Sequence, residues 1–109
     1  MPCTSSKQIL RNLSRENAFY FFTSTGNYTG HIAFSLEEFT KKIKEIKIES
    51  LQFHLYRGDF EKWIDEVLND KILSEKIKTL KLIEPIGDSL RDRLYSIVSK
   101  RLEELKNME

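Results

Sequence analysis

The chain has 109 residues, a formal net charge of +1, and 32% charged against 39% hydrophobic residues. That length supports one core and excludes two independent ones, and the near-neutral charge excludes the basic excess of a dedicated nucleic-acid or anionic-membrane binder. The single cysteine, Cys3, excludes an internal disulfide framework and an all-cysteine metal site.

No apolar run approaches the roughly 20 residues of a membrane span. The opening residues Met1–Lys7 lack the apolar core of a secretory leader. A cytoplasmic protein with no membrane and no nucleic-acid partner is the expectation. The charges are interleaved, which marks solvated helix faces, and the Lys/Glu/Ile-rich style is thermophile-like and archaeal-like.

Residues 1–6 are small and polar and read as a flexible end. Ser6 suits the cap of a short helix over 7–13, with Ile9, Leu10 and Leu13 on one face. The run Ala18-Phe19-Tyr20-Phe21-Phe22 reads either as a short buried strand or as the end of a helix over 15–22. Helix is preferred, because no later segment offers an obvious strand partner. Thr23 to Gly30 is a loop by composition.

Ser35 followed by Glu38 is a capping box, and Phe34 with Phe39 stands at the staple positions. A helix over 35–46 follows, with Leu36, Phe39, Ile43 and Ile46 as its inward stripe. Ser50 is assigned as the cap of a short helix over 50–57. Gly58 suits the left-handed position after it, and Asp59 the cap of the next helix, over 59–68. Phe60, Trp63, Ile64, Val67 and Leu68 repeat there at helical spacing. Asn69 or Asp70 caps a helix over 70–80. Pro85 and Gly87 break the chain, and Asp88 or Ser89 caps a final helix over 88–107. The expected fold is therefore one all-α domain spanning 1–109, a bundle of about five helices from Ser35 onward.

Chemistry concentrates at the central corner. His54 lies one turn from Arg57, and the corner brings Asp59 near. That set suits acid/base work with Arg57 holding an anionic substrate; it also suits a half-buried histidine that only bonds across the corner. No serine or cysteine nucleophile is placed beside it, so no catalytic triad is assigned. Neither His31 nor His54 has a second ligand at metal spacing, so no metal or cofactor is expected.

The loop residues Gly26, Asn27, Tyr28 and Gly30 form either an anion-binding nest or an ordinary connection; the Walker A lysine is absent. Asp65, Glu66 and Asp70 are clustered carboxylates, but so short a chain leaves little room for a glycosidase cleft. Tyr20, Tyr28, Tyr56 and Trp63 could line a pocket, although the place of Trp63 in its stripe favours core. Lys41, Lys42, Lys44 and Lys47 form a cationic face diluted by Glu37, Glu38 and Glu45.

The segments Phe19–Ser24 with Gly26 and Gly30, Ser35–Phe39, Ser50–Ile64 and Leu68–Asp70 together resemble an uncharacterised domain family of archaea and bacteria. Its most specific part is Phe53-His54, Arg57, Asp59-Phe60 and Trp63-Ile64, and the likeness spans roughly Phe19 to Leu80. That family occurs as small stand-alone proteins and alongside carbohydrate-active enzymes such as glycosyltransferases and amylase-like proteins. The resemblance implies an accessory role in sugar metabolism and no catalytic residues.

The functional expectation is a non-enzymatic binding or regulatory module, acting through a protein partner, self-association or a small ligand. Its binding residues would be His54, Arg57, Gly26, Asn27, Tyr28 and Gly30. Pairing of the long last helix with its counterpart in a dimer is one form of that self-association.

Overall fold

A computed structural model describes residues 5–108. The expectations for Cys3 and for the first four residues lie outside that range. Among the described residues the order is α1 (Ser6–Ile9), β1 (Phe19–Ser24), β2 (Asn27–Ala33), α2 (Leu36–Glu45), α3 (Ile48–Arg57), α4 (Asp59–Trp63), a π-helical turn (Ile64–Leu68), α5 (Lys71–Leu82) and α6 (Gly87–Asn107). The domain is mostly helical, as its periodicity predicts, with one two-stranded antiparallel sheet near its start.

That hairpin corrects both the helix expected over 15–22 and the loop expected over 23–30. Phe19 and Phe21 are buried while Tyr20 and Phe22 are half-exposed, which is the period of a strand and not of a helix. The partner strand was hidden because Asn27 and Gly30 are poor strand formers and its outer positions face water.

Phe19 pairs with Ala33 and Tyr20 with Ile32, but Phe22 pairs with Tyr28, so β2 carries two extra residues between these rungs. Gly30 lies in this bulge at φ +87°, a conformation that favours glycine. Thr29 bridges the gap: its hydroxyl donates to the Phe21 carbonyl at 2.8 Å and accepts the His31 N–H at 3.1 Å.

A two-stranded sheet is marginal alone. Here β1 rests on α3, and β2 on α2. Phe19 is the hub, with the rings of His54, Phe21, Phe60, Trp63 and Phe39 at 4.8, 4.9, 5.3, 5.4 and 5.7 Å. The stripes of α2 to α6 close over this cluster to form one continuous core.

The helix starts divide into those the sequence announces and those it misplaces. Ser35 accepts the Glu38 N–H at 3.1 Å, and Glu38 reaches back to the Phe34 N–H at 2.8 Å, so the capping box forms. Asp70 caps α5 through the Leu73 N–H. At the N-terminus, Ser5 caps α1 instead of Ser6. Ser50 is not a cap: α3 starts two residues earlier, and its buried hydroxyl has no partner among the described residues. Asp59 is not a cap either, because it is the first residue of α4 and its side chain turns back toward α3. Neither Asp88 nor Ser89 caps α6; the Gly87 N–H is instead taken by the Gln52 side chain.

Two arginines expected among the solvated charges of the last helix hold the bundle from inside. Arg91 donates to the carbonyls of Ile43 and Ile46, both at 2.7 Å, at the C-terminal end of α2. Basic groups are favourable there because the last carbonyls of a helix lack partners. Arg101 is buried and grips Asp70 with two nitrogens, at 2.9 and 3.2 Å.

Candidate functional site

Gly58 ends α3 in the left-handed conformation (φ +83°), and α4 begins on the next residue. This abrupt corner lets Asp59 turn toward His54, one turn back on α3. His54 Nδ1 lies 2.8 Å from Asp59 Oδ2, and its Nε2 accepts the Phe22 backbone N–H at 2.8 Å. Because Nε2 must accept, the ring proton sits on Nδ1 and is donated to Asp59. His54 is only 3% exposed. Burial lowers its pKa from the ordinary histidine value; the hydrogen bond and the charge of Asp59 oppose this, and the Arg57 charge adds to it.

The corner and the hairpin together enclose a cleft of about 510 Å³. Its walls are apolar and aromatic: Phe19, Tyr20, Phe22, Phe53, Trp63 and Val67. The hairpin turn contributes Thr25 and Gly26 at one edge, and Arg57, Asp59, Lys62 and Glu66 supply the charged groups. Trp63 is anchored by its indole N–H, which donates to the Asn17 carbonyl at 2.8 Å. The Arg57 guanidinium lies over the Phe53 ring at 4.8 Å, with its Nε 3.5 Å from Asp59 Oδ2.

Of the residues singled out from the sequence, His54, Arg57 and Gly26 meet at this cleft. Asn27 and Tyr28 belong with Thr29, His31 and Lys47 to a second, more polar depression on the far side of the hairpin, which Gly26 also touches. Gly30 sits in the bulge and lines neither. Tyr28 covers Phe22 from outside, with ring centroids 5.4 Å apart. Asp65 is paired with Lys71 at 2.8 Å and Asp70 with Arg101, so the expected carboxylate cluster is dispersed.

Sequence reasoning missed Phe53, Phe22 and Lys62 as site residues. Phe53 had a readable signal, since it stands four residues before Arg57 on one helix face. Phe22 and Lys62 had none, because their placement depends on the unrecognised hairpin.

Among the described residues no helix is long and apolar enough to cross a membrane, and no group of three histidine, cysteine or acidic side chains is gathered to hold a metal ion. Comparison with family models, with curated proteins and with solved structures finds no match.

Proposed function

We propose that the protein is a binding module, not a catalyst, and that a small ligand with an apolar face seats in the cleft between the hairpin and the α3–α4 corner. The observation that carries this is the combination of an aromatic-walled cleft with a histidine whose two ring nitrogens are both engaged inside the fold. A general base needs a free lone pair within reach of a substrate proton; the lone pair of His54 already holds the Phe22 N–H. Ligand sites elsewhere share this build of apolar walls and a few convergent polar groups, in cavities of roughly 300–1,000 Å³. The wider accessory role beside carbohydrate-active enzymes rests on the sequence resemblance alone, and the aromatic faces of the cleft are compatible with it.

Trp63, the only tryptophan, lies in the cleft wall and reports on occupancy without a label. Titration with phenylbutanol, and with simple sugars for the carbohydrate reading, is expected to give a saturable change in its emission and a rise in melting temperature for at least one class. Flat emission and an unmoved melting temperature for every compound, up to the millimolar range, would remove the small-ligand reading.

A further inference from the structure

Within the cleft, we infer that the ligand is an apolar-bodied monocarboxylate, an aryl or alkyl acid whose head group is held by Arg57. The inference rests on the binding-module reading above and adds the charge of the ligand to it.

Four charged side chains line the cleft, and they are not equivalent. Asp59 is occupied, because one of its oxygens takes the His54 Nδ1–H at 2.8 Å and has Arg57 Nε at 3.5 Å. Lys62 and Glu66 stand four residues apart on the same wall, are both exposed, and carry opposite charges, so they offset each other for a ligand placed between them.

The group that remains is the terminal edge of Arg57. A guanidinium has five N–H donors. Arg57 directs its Nε side to Asp59, and its terminal nitrogens have no acceptor among the described residues. The guanidinium carbon lies 4.8 Å from the Phe53 ring centroid, which holds the fork beside the aromatic wall. Its side chain is 54% exposed against 27% for Asp59, so an incoming head group meets donors before it meets the carboxylate. A planar guanidinium with two terminal nitrogens turned from Asp59 fits a planar two-oxygen acceptor, and bidentate guanidinium–carboxylate contacts are strong and directional. The aromatic walls supply the matching apolar seat for the body of the acid.

The test uses the intact protein and three compounds with one body and different heads: phenylbutanoate, phenylbutanol and phenylbutylammonium. Binding is read from Trp63 emission and checked by calorimetry. Phenylbutanoate is expected to bind about tenfold tighter than phenylbutanol, and phenylbutylammonium weaker than both. In Arg57→Gln the acid should lose its advantage over the alcohol. Equal affinities for the three heads in the wild type would overturn the carboxylate inference and leave the binding module standing. A loss of alcohol and acid binding together in Arg57→Gln would also overturn it, because the arginine would then be shaping the cleft and not reading the head. Failure of all three compounds to bind would overturn the carboxylate inference, and a flat response to the simple sugars as well would remove the small-ligand reading.

Discussion

His54 Nε2 accepts the backbone N–H of Phe22 at 2.8 Å, across 32 positions of sequence. This bond ties the hairpin to the α3–α4 corner, and the same ring, through Nδ1, holds Asp59 at the start of α4. One imidazole thus fixes three elements that face the cleft, and its protonation state is part of the architecture.

Stability should therefore depend on pH with a definite sign. Burial is the main cause that lowers the His54 pKa below its unfolded value near 6.5. Above that value both states are neutral at this ring, and the His54 contribution is fully present. As pH falls below it, the unfolded chain takes up the proton first, and stability is lost until the folded form also titrates. Protonated Nε2 can no longer accept the Phe22 N–H. Melting temperatures recorded from about pH 8 to about pH 5 should decline, and His54→Gln should flatten the part of the decline due to this ring. An unchanged slope in the variant would assign the pH dependence to other groups.

Removing the ring outright should cost as much as truncating a large core side chain. His54→Ala leaves a cavity beside Phe19, an unpartnered Phe22 N–H, and Asp59 without its donor. A loss of about 2–4 kcal/mol in urea unfolding is expected. Asp59→Asn keeps the volume and should cost roughly 1 kcal/mol, since an amide oxygen still accepts from Nδ1.

The Asp70–Arg101 pair makes a second, unrelated demand. Both side chains are nearly closed to solvent, at 1% and 7% exposure. Asp70 also caps α5 through the Leu73 N–H. Asp70→Ala leaves the buried Arg101 guanidinium with Glu104 alone, at 3.2 Å, and removes a cap, so a loss of about 3 kcal/mol is expected. Combining it with Arg101→Leu should recover part of that loss, because a buried charge left with one partner disappears. Additive losses in the double variant would show that Glu104 and solvent compensate Arg101 without Asp70.

Gly58 tests the corner. A Cβ there would meet Lys81 Nζ at 3.6 Å, an ordinary contact, so there is space for alanine. The positive φ remains, and an L-residue held in that region costs roughly 1–2 kcal/mol. Gly58→Ala should lower stability by that amount without abolishing folding, and Gly58→Asn by less, since asparagine tolerates the region better.

Ser50 gives a prediction whose sign separates two readings. If it were a helix cap, Ser50→Ala would cost about 1 kcal/mol. Its hydroxyl is instead buried without a partner among the described residues, and removing an unsatisfied buried group is neutral or stabilising by up to about 1 kcal/mol. Chemical denaturation of the single variant decides between them.

The helical part of this fold was legible because its signals are local. The box at Ser35 and Glu38, the glycine stop at Gly58 and the stripe from Phe60 to Leu68 each operate within a few residues. What escaped is what depends on distance. The Phe19–Ser24 strand is recognisable only once Asn27–Ala33 is seen to pair with it, and that partner is polar, bulged and glycine-bearing. Arg91 and Arg101 look like surface charges in sequence, since their acceptors lie 48, 45 and 31 residues away. At the site, His54, Arg57 and the nearness of Asp59 were readable from one helix and its corner, whereas the cleft they border needed the hairpin.

The π-helical turn at Ile64–Leu68 sets the length tolerance of this region. Winding with i→i+5 bonds accommodates one residue more than an α-helix over the same rise, and the surplus is absorbed where Glu66 and Val67 reach the cleft. Arg11 stabilises the widened turn from the N-terminal segment by donating to the Val67 carbonyl at 2.8 Å. Deleting Asp65 would return the segment to α winding and change the direction of Glu66 and Val67 relative to Trp63. A shortened chain should therefore still fold as a helix there, but with a reshaped cleft wall and the Val67 carbonyl shifted relative to Arg11. The turn thus behaves as an insertion of a single residue, placed where it shapes the wall of the cleft.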